Sequence, residues 1–230
     1  MKERQTMREK YFNWFWGWRT YLSVAVVLCV LLCAGGCGVR QKTIIFNEHL
    51  DETALVLDGR EYPLRAFAFY VAYEEQIIQE QALLYDAENP NAYWNTHMNG
   101  HFVRIRARTE AMNLAIHDFI LYELAVSMGM KLDGEQTSYA KSRCDDFWMD
   151  IGEDAQKRLG VTKEEIEETL LHMALAQTYQ ELIAAMDDVP VEDYDAQGAA
   201  YERLLEEHTF KIRASVWEGI SMGHVTLLNE

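Results

Sequence analysis

The 230 residues are enough for one or two domains, and a 49% hydrophobic fraction with 12% aromatics is ample for a packed core. The formal net charge of −16 is unevenly spread: residues 1–36 carry five Lys/Arg against two Asp/Glu, a net +3, and the remainder carries sixteen against thirty-five, a net −19. An acidic body repels phosphates, which excludes nucleic acid as its partner and leaves attachment to an anionic membrane to the N-terminus.

Lys2, Arg4, Arg8, Lys10 and Arg19 surround the aromatic stretch 12–18 (FNWFWGW) and precede an apolar run at 21–33 (YLSVAVVLCVLLC). Ala34, Gly35, Gly36 and Cys37 follow. A basic leader, a short apolar run and small residues form an export signal, whose positive charges stay on the cytoplasmic side. The run is shorter than the roughly 20 apolar residues of a full span, although counting on through Gly36 leaves an uncleaved anchor open. Small residues ahead of Cys37 resemble a bacterial lipobox, with Ala34 where a large aliphatic residue is usual. That resemblance implies lipid attachment at Cys37. Cys29 and Cys33 lie in the leader, so Cys144 is alone in the body and has no partner there for a disulfide. Residues 1–37 are thus expected to be a signal peptide with lipobox or a membrane anchor. They place the body outside the cytoplasm, anchored to the cell membrane as a lipoprotein or by an uncleaved signal anchor.

Residues 38–52 read as a tether, with a short strand expected at 43–46. Residues 54–57 (ALVL) before Asp58-Gly59 predict a strand and a turn. Pro63 suits the first position of a helix that continues to about Asp86, with Phe67, Tyr70, Val71, Ile77, Ile78 and Leu84 at helical spacing. Asn89-Pro90-Asn91 reads as a loop. A second long helix is predicted over 102–128, stopped by Gly129. Another segment starts at Leu132-Asp133 and runs through Trp148 and Ile151. Thr162 and Glu165 form a capping box that opens a helix ending before Pro190. A last helix is expected over 194–207. The strand-like runs 209–217 and 224–228 predict a closing β-hairpin, so 53–208 forms the helical domain and 209–230 the hairpin.

Several ordered patterns are similar to the substrate-binding N-terminal domain of the PrsA and SurA-like extracytoplasmic foldases. Val56-Leu57-Asp58-Gly59-Arg60-Glu61-Tyr62-Pro63 resembles the opening strand, turn and helix start of that family. Glu110 through Leu132-Asp133 resembles its second helix and following turn. Leu159-Gly160-Val161-Thr162 and Val189-Pro190-Val191-Glu192-Asp193-Tyr194 resemble two later helix starts. The resemblance implies a mainly α, multi-helix SurA N-terminal-like domain with a small β element, made of short N-terminal strands and the C-terminal hairpin. Many relatives continue into a parvulin-type prolyl isomerase, and residues 208–217 resemble entry into its first strand. Only thirteen residues follow Trp217, too few for that active site.

No nucleophile elbow, P-loop, dinucleotide fingerprint or His-Glu-x-x-His motif occurs, and neither a catalytic residue, a cofactor nor a metal is assigned. His97 and His101 have the spacing of helical metal ligands but no obvious third ligand. The acidic groups Glu164, Glu165, Glu167 and Glu168 read as the solvated first turns of a helix. Aromatics among methionines suit binding of varied unfolded segments, because such surfaces repack easily. The candidate client-binding residues are Phe67, Tyr70, Tyr93, Trp94, Phe147 and Trp148. Of these, Tyr93 and Trp94 are expected to be the most exposed. The resulting expectation is a membrane-tethered, non-catalytic chaperone-like protein for unfolded or partly folded exported polypeptides. The alternatives are a peptidyl-prolyl cis-trans isomerase of the parvulin family and an envelope adaptor with one defined protein partner.

Overall fold

The computed structural model describes residues 42–98 and 100–227. The leader, Cys37, the first part of the tether and Leu228 lie outside the described residues. The fold is mainly helical with a small antiparallel sheet. Strand β1 (Thr53–Leu57) is central, flanked by β2 (Arg60–Pro63) and β5 (Phe210–Ile212). The β1–β2 turn uses Asp58 and Gly59 with φ of 49° and 82°, the left-handed pair that matches strand twist in a two-residue hairpin. Asp58 does more than turn the chain. Its Oδ1 accepts the Thr209 amide at 2.8 Å and its Oδ2 lies 2.6 Å from His208 Nδ1, so it ties down the entry to β5. The His208 hydrogen bond, followed by that of the Thr209 amide, holds its carboxyl below the ordinary range.

After β2, Leu64–Phe67 forms a 3-10 turn that leads into α1 (Ala68–Tyr85). Pro63 therefore closes a strand and caps this turn instead of opening the α-helix. The five successive residues from Ala68 to Ala72 are all buried, so the start of α1 is enclosed on every side and lacks the one-sided face of a surface helix. Pro90 sits at the first turn of α2 (Pro90–Trp94), a short helix where a loop was expected. His97 and His101 fall on the two strands of a short hairpin, β3 (His97–Met98) and β4 (His101–Phe102), which removes the helical spacing that made them candidate ligands.

Helix α3 (Val103–Ser127) ends at Gly129, whose φ of 72° permits the reversal. Asp133 and Gln136 form a capping box for α4 (Gly134–Leu159), which is broken at the non-helical Gly152. The predicted Thr162–Glu165 box is present at the start of α5 (Lys163–Met186). A 3-10 strap, Val191–Tyr194, and α6 (Ala199–Leu205) replace the single last helix expected over 194–207. The main core lies among the sheet, α1, α3 and the first half of α5. A second cluster of Leu121, Ala125, Leu175, Ala176 and Tyr179 seals α3 against α5. Ala184, Tyr194, Ala200 and Tyr201 close the far end.

The expected strand at 43–46 is a single bridge between Ile44 and Ile220 followed by a 3-10 turn. The expected C-terminal hairpin is not formed by the described residues. β5 pairs with β1, α7 (Ala214–Trp217) follows, and residues 224–227 are irregular. The physical reason is where the backbone polar groups find partners. Fully buried Glu75 accepts the amides of Gly223 (2.6 Å) and Val225 (3.0 Å) on one oxygen. Its other oxygen accepts the amide (2.6 Å) and hydroxyl (2.5 Å) of Thr226. Burial pushes the Glu75 carboxyl up, against the pull of these four donors. Arg158 donates to the carbonyls of Val225 and Thr226, and Arg108 to those of Glu218 and Ile220. The tail thus meets the requirement that buried backbone groups be paired without forming a ladder.

Candidate functional site

Three overlapping grooves mark the surface between the β1–β2 hairpin, α1, α3, α4, α5 and the strap. The first, of about 440 Å³, has Tyr62 and Phe119 on its floor, stacked at 4.3 Å between ring centroids. These rings meet because Tyr62 lies on β2 and Phe119 on the neighbouring face of α3. Tyr122, one helical turn beyond Phe119, lies 3.9 Å from the His172 ring of α5. Burial lowers the His172 pKa against the opposing Glu168 charge, which favours the neutral imidazole beside the Tyr122 ring. The rim is charged: Arg60 pairs with Glu123, and Arg65 bridges Asp51 at 2.6 Å and Glu165 at 2.5 Å.

The other two grooves, of about 490 and 510 Å³, share Tyr73, Leu114, Asp118, Arg143, Met173 and Asp195. Tyr73 stacks on Phe69 at 5.6 Å. Exposed Tyr139 stands on the α4 side. Asp118 lines all three grooves, and Tyr70 lines the first two, so the grooves meet at this pair.

The junction is a polar cluster set in an apolar surround. Tyr70 donates its hydroxyl to Asp118 Oδ2 at 3.1 Å, and His117 Nδ1 lies 2.9 Å from Oδ1. His117 Nε2 lies 2.9 Å from the Tyr194 carbonyl, which links α3 to the strap. Both imidazole nitrogens thus face acceptors, an arrangement that only the doubly protonated ring satisfies in full. Burial by itself lowers the His117 pKa, but the Asp118 hydrogen bond and charge, with the Tyr194 carbonyl, outweigh it and raise the value. The Tyr201 ring packs edge-on to His117 at 4.7 Å, and its buried hydroxyl has no hydrogen-bond partner among the described residues. The described residues lining the three grooves include no serine or cysteine; they offer rings, methionine and hydrogen-bonding groups.

The sequence-derived candidates are placed differently from expectation. Phe67, Tyr93, Trp94 and Phe147 are buried in the main core, and Trp148 is half-buried against it. Tyr93 and Trp94, expected to be the most exposed, are covered because α2 folds back onto α1. Tyr93 donates its hydroxyl to Gln81 and Trp94 its indole N–H to Gln79, each at 3.1 Å. Gly223 then lies over the Trp94 ring. Of the six, Tyr70 borders two of the three grooves described above and the other five border none of them; the Tyr70 side chain is itself almost wholly buried. The groove-lining residues that reading left out include Tyr62, Phe119, Tyr122, Leu114, Tyr139 and Met173. Phe119, Tyr122 and Val126 recur at i, i+3 and i+7 on α3, a helical spacing legible in the sequence.

A scan against protein-family models, a search of curated proteins and a search of solved structures each gave no match to this chain.

Proposed function

We propose that this protein is a membrane-tethered, extracytoplasmic chaperone-like protein that holds unfolded or partly folded exported polypeptides without catalysing a covalent step. The observation that carries this reading is the run of three grooves meeting at Tyr70 and Asp118, walled by rings and Met173 and edged by charges. An extended client would lay apolar side chains on Tyr62, Phe119, Tyr73 and Met173 in turn. Such contacts are adaptable because Met and aromatic surfaces accept many shapes. The basic leader, short apolar run and Cys37 support the tether, and the resemblance of the sequence patterns to those of PrsA and SurA-like foldases supports the holding role.

The test is light scattering from several unrelated aggregating clients mixed with the full chain. Suppression that weakens several-fold in Met173→Asp, with unchanged circular dichroism, is the expected result. No suppression of any client would count decisively against holding. A pull-down from membranes adds a second readout: varied clients fit a chaperone, whereas one stoichiometric partner would identify an adaptor.

A further inference from the structure

The outer edge of β5 has no strand beside it among the described residues, since the sheet order is β2-β1-β5. Its register with β1 decides which way its polar groups point. The Asp58 amide donates to the Thr209 carbonyl and the Arg213 amide to the Ala54 carbonyl. Alternation of hydrogen-bonded pairs then leaves Leu57↔Phe210 and Leu55↔Ile212 as the pairs that exchange no bonds. The N–H and C=O groups of Phe210 and Ile212 therefore point away from β1, towards the open edge. Both side chains share the face of Leu55 and Leu57, yet overhang it at 45% and 37% exposure. Lys211 projects to the other face and Arg213 follows it; neither has an ion pair among the described residues. Both are cations on a chain whose residues 37–230 carry a net charge of −19. The strand is also held in place before any partner arrives, by the Asp58 contacts to His208 and Thr209.

We propose that the β5 edge binds an extended polypeptide segment by strand addition, and that the segment it fits alternates apolar and acidic residues. Four backbone groups would pair with the added strand. Its apolar residues would cover Phe210 and Ile212, and an acidic residue between them would lie beside Lys211. A second copy fits poorly: antiparallel pairing of two β5 edges centred on Lys211 sets the two lysines opposite each other, which is unfavourable and is a common guard against edge-to-edge pairing. This surface shares no residue with the three grooves, so it goes beyond the client-holding reading and stands or falls separately from it.

The experiment is fluorescence anisotropy with the detergent-solubilised full chain and three labelled peptides. One alternates valine with glutamate, one alternates valine with lysine, and one has the Val/Glu composition in two blocks. The alternating acidic peptide is expected to bind at least tenfold more tightly than the other two. Lys211→Glu, an exposed change that leaves the fold intact, should reverse the preference towards the lysine peptide. N-methylation of every second amide along one edge of the acidic peptide should abolish binding. Equal affinity for the three peptides, or a preference that survives both Lys211→Glu and N-methylation, overturns the proposal. So does a dimer of the full chain that is lost on Ile212→Pro, because it would place a second copy on the edge. The light-scattering result of the client-holding test has no bearing on any of these outcomes.

Discussion

His117 and Glu74 both make the fold sensitive to pH, for opposite chemical reasons. His117 gains an acidic partner, so its folded pKa lies above the ordinary 6.5. Its stabilising contribution is complete below about 6.5 and is lost as pH rises through the folded value. Glu74 loses water and faces Glu110, with only Arg106 to offset them, which raises its carboxyl from 4.5 to about 7. Its neutral form suits the fold, so a cost develops as pH climbs from about 4.5 and is complete above about 7. Thermal melts at pH 5, 6.5 and 8 separate the two. Glu74→Gln should stabilise the protein increasingly towards pH 8, by up to about 3 kcal/mol. His117→Phe keeps a ring against Tyr201 but cannot carry charge, and its loss of stability should be greater at pH 5 than at pH 8. Parallel pH curves for the wild type and either variant would rule out that residue's assignment.

At the scale of elements, the tail after α7 shows how an irregular segment is held inside a helical domain. One carboxylate takes three of its amides and two guanidinium groups take four of its carbonyls. Glu75→Gln sets an amide NH₂ against donors and should cost about 2–3 kcal/mol. It should also speed hydrogen exchange at Gly223, Val225 and Thr226 more than at the centre of α3. Uniform acceleration would show that Glu75 does not hold the tail specifically. Gly223 is needed at this bend because its φ is +91° and a Cβ would approach the Trp94 ring to 2.8 Å. Gly223→Ala should therefore destabilise through both strain and the displaced ring, by about 2 kcal/mol or more. An unchanged melting temperature would contradict this packing.

For the molecule as a whole, charge is divided between residues 1–36, of net +3, and a remainder of net −19. The proposed tether makes Cys37 the only link between the exported body and lipid if the leader is removed. Cys37→Ser should then abolish incorporation of labelled palmitate and release the body from membranes on cleavage, or leave it held by an uncleaved leader. Palmitate incorporation that persists in this variant would dismiss the lipobox reading.

Local chemistry made the long helices, the first strand and its turn legible, while the second strand of that hairpin, β2, was not read because Pro63 also suits a helix start. Asp58-Gly59 selects a two-residue turn, Thr162 and Glu165 cap each other within one turn, and Gly129 permits a left-handed stop. These features depend on residues a few positions apart, so spacing alone reveals them. The partner of β5 and the course of the tail depend instead on groups about 150 positions away, Asp58 and Glu75. An apolar strand-like run such as 224–228 has the same pattern whether a neighbouring strand or a buried carboxylate accepts its amides. The aromatics show the same division. Composition made Phe67, Tyr93, Trp94 and Phe147 good candidates for an apolar surface, because core and binding surfaces draw on the same residues. Only helix packing assigned those four to the core and left Tyr62, Phe119, Tyr122 and Tyr73 along the grooves.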